Sequence, residues 1–203
     1  MTAKLPVPTT LTGRHVRLEP LDRAHVPELF RAVGGDEEVW RWIPVPTPRT
    51  EPELAEVVRA RVADPDCVPF AVIDLATGRA VGVSCYFDAH PGDERLEIGG
   101  TWYSRSVWRT GVNTESKLLL LSHAFEELGI GRVMWKTDHL NERSQNAIRR
   151  LGAQYEGTHR RERRRPDGSW RDSVYFSMLA EEWPAAKSRL SARLDAHPAP
   201  GPS

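Results

Sequence analysis

Seven runs of this chain are predicted to be strands, either because apolar and polar residues alternate, as in residues 14–21, or because β-forming residues are concentrated between turn signals. Between these runs, apolar residues recur at helical spacing behind capping residues such as Asp22, Thr50 and Asn141. The predicted strands are residues 14–21, 69–75, 81–88, 95–103, 132–138, 154–165 and 171–179. The predicted helices are residues 22–33, 36–42, 50–63, 141–151 and 181–194, with one more helix of about four turns that ends at Gly129.

The order of these elements predicts how the strands are arranged. The three strands from residue 69 to residue 103 follow one another through short turns and should form an antiparallel meander. Strand 132–138 follows a helix and should return parallel to strand 95–103. We therefore predict one α/β (α+β) domain at residues 11–195, with a mixed, mostly antiparallel central sheet of about six to seven strands flanked by helices. Residues 1–10 are expected to be a flexible N-terminus and residues 196–203 a disordered tail.

Composition narrows the function classes. Lysine plus arginine and aspartate plus glutamate both number 28, so no net charge would draw the chain to nucleic acid or to an anionic membrane. The two cysteines, Cys67 and Cys85, have no metal-ligand spacing, and we expect no metal site. The first ten residues have no signal-peptide pattern, and no apolar run is long enough to span a bilayer. We expect a cytoplasmic protein with no membrane partner.

One stretch suggests a binding site, because a predicted strand at 96–103 leads through a tight turn into the four-turn helix. Such a turn directs several backbone N–H groups to one point, and the helix dipole adds positive potential there. A phosphate or pyrophosphate could bind at this point. Many α/β proteins contain a strand–loop–helix that binds nothing, so this pattern alone leaves both interpretations open. The predicted core stripe of the helix is Leu118, Leu121, Phe125 and Leu128.

Several motifs, taken in order, resemble the GNAT-fold (Gcn5-related) N-acyltransferases, and in particular the RimJ/RimL branch of ribosomal-protein-alanine acetyltransferases. The motifs lie at residues 11–18, 97–99, 109–115, 141–144, 151–153, 167–168 and 171–174. The resemblance covers about Leu11 to Leu194. It implies a sheet splayed open at a cofactor slot. It also implies an acyl-CoA-dependent N-acetyltransferase that moves an acetyl group from acetyl-CoA, or an acyl group from succinyl-CoA or another acyl-CoA, to a primary amine of a small molecule or a protein N-terminus.

The same resemblance assigns cofactor contacts. The CoA pyrophosphate would bind the backbone of the turn and the first helical residues, with the Arg109 side chain as an extra partner: Arg109, Thr110, Gly111, Val112, Asn113 and Thr114. The pantetheine arm would lie along the backbone of Trp102, Tyr103 and Ser104. Gly99-Gly100 either marks a bulge with close backbone approach or only relieves crowding. The chain departs from the family pattern at Trp108 and Asn113, and Asn113 is expected to take a left-handed conformation.

Amine acetylation needs a neutral amine and a proton for the departing thiolate. Glu97 is the candidate base, because alternation places it on one strand face with Gly99, Thr101 and Tyr103. A solvated glutamate with no catalytic role is the alternative, and Asp138 and His139 are weaker candidate bases. Asn141 and Ser144 are the candidates for the thiolate, since they lie three apart at a helix N-terminus, and the resemblance also places Asn141 at the cofactor. Asn141 could equally act only as a cap.

The resemblance places Trp40, Trp42 and Tyr86 at the acceptor pocket and allows a monomer or a homodimer. Two other functions stay open. The arginine-rich arm at 159–165 could serve a ribosome- or RNA-associated protein, although alternation divides its arginines between two faces. The altered loop could also belong to a catalytically weak CoA-binding sensor or scaffold domain.

Overall fold

The computed structural model of the chain describes residues 2–196. Eight strands are present in it: β1 (Leu11–Thr12), β2 (Val16–Pro20), β3 (Cys67–Asp74), β4 (Arg79–His90), β5 (Arg95–Tyr103), β6 (Arg132–Asp138), β7 (Gln154–Arg164) and β8 (Trp170–Leu179). The helices are α1 (Val26–Val33), α2 (Glu37–Trp40), α3 (Glu51–Ala63), α4 (Gly111–Ser122), α5 (Glu142–Leu151) and α6 (Trp183–Asp195), and α4 continues into a π-helical turn at His123–Glu127. In the described range, every helix is too short or too polar to cross a membrane.

All eight strands form one sheet in the order β1-β2-β3-β4-β5-β6-β8-β7. Only β5 and β6 pair in parallel, and every other neighbouring pair is antiparallel. The predicted mixed, mostly antiparallel α/β sheet is therefore confirmed. Its strand number is one above the predicted maximum, because the two-residue strand Leu11–Thr12 pairs with β2 and is too short to show a periodic pattern.

Each face of the sheet carries its own hydrophobic core. Along β3, Phe70 and Val72 belong to the core that includes α4 and α6, whereas Ala71 and Ile73 belong to the core that includes α1 and α3. This alternation is the reason why β3 reads as a continuous apolar run, since a strand covered by helices on both faces buries consecutive residues.

The core stripe predicted for the long helix is incomplete. Leu121 and Leu128 are buried, Leu118 and Phe125 are partly buried and pack against the same core, and Leu120 and Ala124 are buried as well. The π-helical turn after Ser122 adds a residue to the turn, which shifts the helical periodicity near the C-terminal end. The helix packs against α6 as well as against β1 and β2 of the sheet, so its buried surface is wider than a single stripe.

The two chain ends were predicted to lack fixed structure. At the N-terminus, Ala3 is buried in the core, and the Lys4 amide donates a hydrogen bond of 2.8 Å to the Leu128 carbonyl. This part of residues 1–10 therefore contacts the domain directly. Of the predicted tail, residues 197–203 lie outside the described range.

The parallel pairing of β5 and β6 is confined to three residue pairs, which end at Glu97 and Met134. Beyond this point β5 stays paired with β4 and β6 stays paired with β8, so the two strands diverge. Their facing backbone edges, at residues 98–103 and 135–138, enclose an open wedge that we call the fork. A sheet splayed open beside β5 was predicted, and the fork confirms it.

Candidate active site

The loop before α4 is held by its own side chains. Thr110 caps α4 by accepting a hydrogen bond of 3.3 Å from the Val112 amide, and its hydroxyl donates to the Val107 carbonyl at 2.7 Å. The Trp108 indole donates to the Tyr103 carbonyl at 3.0 Å, and the Arg143 guanidinium lies 3.8 Å from the centre of the Trp108 ring. Trp108, one of the two departures from the family pattern, thus joins the end of β5 to α5.

The loop leaves backbone donors free. Within residues 2–196, no hydrogen bond uses the N–H groups of Arg109, Gly111 or Asn113. Gly111 and Asn113 belong to the first turn of α4, where N–H groups lack intrahelical partners and the helix dipole is positive. The feature on which the predicted anion site depended, free amides around Gly111, is present.

The predicted left-handed residue is wrong. Arg109 has φ 65°, whereas Asn113 lies inside the first turn of α4. The helix begins at Gly111, so the chain reverses before it, at Arg109. A left-handed conformation costs a residue with a Cβ atom about 1 kcal/mol. The loop accepts this cost at the residue that immediately precedes the cap.

A cleft of about 1320 Å³ opens at the fork and extends to this loop. Most of the residues predicted to contact the cofactor or the acyl group line it: Trp102, Tyr103, Arg109, Thr110, Asn113, Thr114, Glu97, Asn141 and Ser144. Ser104 is buried beside it as the cap of the turn after β5, while Gly111 and Val112 are buried at the start of α4. The Trp135 indole N–H also faces no hydrogen-bond acceptor among the described residues, although its side chain lines the cleft. Free amides at one end and an open backbone edge along the side suit a pyrophosphate with an amide-containing arm.

Strand β5 is irregular at Gly99-Gly100, as the bulge interpretation predicted. Gly100 has φ 58°, and the register between β4 and β5 shifts at this point. The bulge makes one part of the sequence prediction wrong. Glu97 and Gly99 share a face, but Thr101 hydrogen-bonds Ser84 on the opposite face and Tyr103 packs into the opposite core. Alternation fails because the bulge adds a residue to β5.

Glu97 is almost fully buried where the fork begins. Its carboxylate oxygen Oε2 lies 2.9 Å from the Lys136 ammonium nitrogen. Burial raises the pKa of Glu97 above its ordinary value, and the positive charge of Lys136 opposes part of that rise. An added Cβ at Gly99 would lie 2.7 Å from Glu97 Oε1, so the glycine leaves room for the carboxylate.

At the opposite side of the fork, Asn141 caps α5 by accepting a hydrogen bond of 3.1 Å from the Ser144 amide. Within residues 2–196, neither the Asn141 side-chain NH₂ group nor the Ser144 hydroxyl makes a hydrogen bond. Both side chains line the cleft. The capping role is therefore present, and two polar groups beside a helix N-terminus stay available to a ligand.

Asp138 is occupied by an ion pair. The Arg165 guanidinium holds both of its carboxylate oxygens, at 2.6 and 2.9 Å. Burial alone would raise the pKa of Asp138, but the hydrogen bonds from Arg165 and the Leu140 amide hold it below the ordinary value. A carboxylate in this arrangement is a poor proton acceptor at neutral pH. His139 is half-exposed beside it, and neither residue lines the cleft.

Of the three residues predicted for the acceptor pocket, only Trp42 lines the cleft. Trp40 is fully buried, with its indole donating to the Val33 carbonyl at 2.9 Å and its ring 5.1 Å from that of Trp102. Tyr86 is also buried, and its hydroxyl donates to the Leu120 carbonyl at 2.6 Å. These two aromatic residues are core, because each finds a backbone acceptor inside the protein.

The arginines of the arm at residues 159–165 contact different neighbouring residues. Arg161 and Arg164 stack on Trp170 at 4.6 and 4.4 Å, and Arg165 pairs with Asp138. Only Arg163 of this arm lines the cleft. Its cations therefore serve different partners and do not form one continuous strip.

Sequence reasoning missed two lysines that line the cleft, Lys117 and Lys136. Lys136 pairs with Glu97, as described above. Lys117 is buried and hydrogen-bonds Thr101 and Ser84. A signal for Lys117 existed, because it lies four residues after Asn113 and so shares its face of the helix, directly before the apolar run of residues 118–121.

Comparison with known proteins agrees with this geometry. YdaF of Bacillus subtilis (strain 168) is named provisionally as a ribosomal N-acetyltransferase. It is 26% identical over 175 residues, which cover 84% of this chain and 92% of YdaF. A GCN5-related N-acetyltransferase from Brucella melitensis is 31% identical, with a TM-score of 0.90 over 94% of this chain and 87% of that one. RimJ of Mycobacterium smegmatis in complex with CoA-disulfide shares the fold at 23% identity, with a TM-score of 0.77 over 92% and 95% of the two chains.

Residues 15–154 match the family model described as an acetyltransferase (GNAT) domain. This range contains β2 to α5, and so includes the loop, the fork and Glu97. Members of this family act on an acyl-CoA and an acceptor. The chain belongs to the GNAT family of acetyltransferases.

Proposed function

We propose that this acetyltransferase moves an acetyl group from acetyl-CoA to a primary amine, by direct attack of the amine on the thioester, with Glu97 as general base. The observation that carries the proposal is the buried carboxylate of Glu97 at the start of the fork, in the same cleft as the free loop amides. The likeness to a RimJ structure that contains CoA-disulfide supports an acyl-CoA thioester as the donor.

Each part of the cleft has a role in this proposal. The amides of Arg109, Gly111 and Asn113 hold the pyrophosphate, and the backbone edge of Trp102 to Ser104 pairs with the pantetheine arm. Glu97, directly or through water, accepts the proton of the incoming amine. The developing thiolate is stabilised at the N-terminus of α5, where Asn141 and Ser144 offer free donors.

The acceptor in this proposal is a primary amine of a protein N-terminus or a small molecule. The name of YdaF makes a ribosomal-protein N-terminus the first acceptor to test. A mass-spectrometric screen of N-terminal peptides and small amines, each with acetyl-CoA and with succinyl-CoA, identifies both substrates. Binding of acetyl-CoA without acetylation of any amine in the panel would instead favour a CoA-binding sensor.

Replacing Glu97 with glutamine is expected to lower kcat/KM by at least about tenfold, because the amide cannot accept the proton. Since the pKa of Glu97 is raised, the wild-type rate should fall on the acid side at a pH above the ordinary range of a carboxyl group. Measuring thiol release across a pH series gives both the rate and its pH dependence. In Glu97→Gln, the fall of the rate on the acid side (the acid limb) should disappear.

The matched control is Glu181→Gln, which changes an exposed glutamate and should leave the profile unchanged. Lys136→Met should move the acid limb to higher pH, because Lys136 opposes the effect of burial on the pKa of Glu97. An unchanged rate and pH profile in Glu97→Gln would assign the proton transfer to another group.

Replacing Gly111 with proline is expected to weaken CoA binding by about tenfold or more, because it removes one charge-assisted amide donor. The fold should accept this change. Proline is favoured at the first helical position, and Thr110 already has the extended backbone that precedes a proline. Isothermal titration of CoA measures the effect.

Gly111→Ala is the control, because it keeps the amide and its Cβ would only touch the His15 ring at 3.4 Å. Equal CoA affinity in the alanine and proline variants would remove this amide from the site.

A further inference from the structure

Lys117 is a buried lysine in the wall of the cleft. Its ammonium nitrogen lies 2.8 Å from the Ser84 hydroxyl and 2.7 Å from the Thr101 hydroxyl. The two hydroxyls are themselves 2.8 Å apart. Thr101 directly follows the bulge at Gly100, on the strand whose free edge forms one side of the fork. The amine therefore lies against the part of β5 between Glu97, the proposed base, and residues 102–104, with which the pantetheine arm is proposed to pair.

The surroundings of Lys117 favour its neutral form. Among the described residues, no carboxylate lies within 4.0 Å of its nitrogen, and the neighbouring Cys85 thiol stays protonated because burial raises its pKa. Burial lowers the pKa of Lys117 to about 7. A neutral amine keeps two N–H groups, which suffice for Ser84 and Thr101, and its nitrogen lone pair is then free to react.

We propose that Lys117 is a self-acylation site, which takes the acyl group from an acyl-CoA bound in the cleft; this rests on the proposed function. The Lys117 nitrogen forms a C–N bond to the thioester carbonyl carbon. The C–S bond breaks, its electron pair stays on sulfur, and the proton released by the nitrogen neutralises the thiolate. Lysine amide and free CoA are the only products, so no further reactant is needed.

The other three lysines of the chain do not combine burial in the cleft wall with the absence of a carboxylate partner. The nitrogen of Lys136 lies 2.9 Å from Glu97 Oε2 and that of Lys187 lies 2.7 Å from Glu126 Oε1, so each has a carboxylate as its partner. Lys4 is exposed at the N-terminus. An acyl group on Lys117 removes a titratable amine from the cleft and occupies space beside the bulge, so the acylated protein should transfer acetyl groups to amines more slowly.

The test incubates the wild-type protein with acetyl-CoA in the absence of an amine acceptor and maps acetylation of all four lysines by peptide mass spectrometry. We expect acetylation of Lys117 ahead of the other three, with a rate that saturates with acetyl-CoA, and loss of this preference in denatured protein. Lys117→Met should lose the label from the folded protein, and Lys187→Met should keep it.

Acetyl-CoA binding and amine turnover are measured on the same samples. If the protein acetylates amines while Lys117 stays unmodified, or is modified no faster than in denatured protein, the self-acylation proposal is overturned and the proposed function stands. If the folded protein neither binds acetyl-CoA nor acetylates any amine, the proposed function fails and self-acylation fails with it.

Discussion

Replacement of Glu115 with alanine is expected to lower the free energy of unfolding by about 4 kcal/mol. The Glu115 carboxylate is buried and accepts three backbone hydrogen bonds, from the amides of Arg14, His15 and Val16 at 2.8, 2.5 and 2.8 Å. These bonds tie the second turn of α4 to the turn that joins β1 and β2. Alanine would leave the amides without an acceptor in a site that excludes water, and each orphaned donor is costly.

Urea denaturation measures the loss, with Glu127→Ala as the control because Glu127 is exposed and lies on the same helical segment. Glu115→Gln should be intermediate, since its single carbonyl oxygen cannot serve all three amides. Gly13→Ala should also destabilise the protein, because an added Cβ would overlap the Glu115 carboxyl group. A loss below about 1 kcal/mol in Glu115→Ala would show that water replaces the carboxylate.

Replacing Lys117 with methionine is expected to raise the free energy of unfolding by about 4 kcal/mol at neutral pH. The pKa of Lys117 falls from 10.5 to about 7 on folding, because burial disfavours the ammonium form. The folded state therefore carries a penalty that is complete below pH 7. Methionine fills a similar volume without this penalty, and Ser84 and Thr101 can still hydrogen-bond each other.

The sign of the pH dependence follows from this lowered pKa. Between about pH 7 and pH 10.5 the unfolded chain binds the lysine proton more than the folded chain does, so wild-type stability gains as pH rises through this window. The advantage of Lys117→Met should thus be larger at about pH 6 than at about pH 9. Urea denaturation at both values measures it, with Lys187→Met as the control. A variant that is less stable than wild type at the lower pH would mean that the ammonium is stabilised by water in the cleft.

The strands and helices could be predicted from the sequence because the signals that define them come from residues close together in the chain. Strand alternation, the turn at 166–169 and the caps at Thr50 and Asn141 each depend on neighbouring residues, and the observed elements begin and end close to the predicted ones. The fork also followed from order and resemblance, since a crossover through one helix such as α4 commonly brings the next strand back parallel to its predecessor.

What could not be predicted depends on contacts between distant parts of the chain. Glu115 and Lys117 look like ordinary polar positions of a helix, and only the fold brings Val16 and Thr101 to them. The bulge at Gly100 was suspected from two glycines, but its effect on the faces of Thr101 and Tyr103 needed the register of β4. Trp40 and Tyr86 were misassigned for the same reason, because aromatic residues of a pocket and of a core have the same sequence pattern.

The three residue pairs that join β5 to β6 have a mechanical consequence. Strands β1 to β5 and strands β6 to β8 form two sheet segments, and the seam between them has fewer residue pairs than any other between strands of five or more residues. A ligand arm that pairs with the free edge of β5 acts as a substitute strand across that seam. Its binding would couple the two segments into a single cooperative unit, and at a hundredfold excess over its Kd it would add about 2.7 kcal/mol to the stability of the folded state.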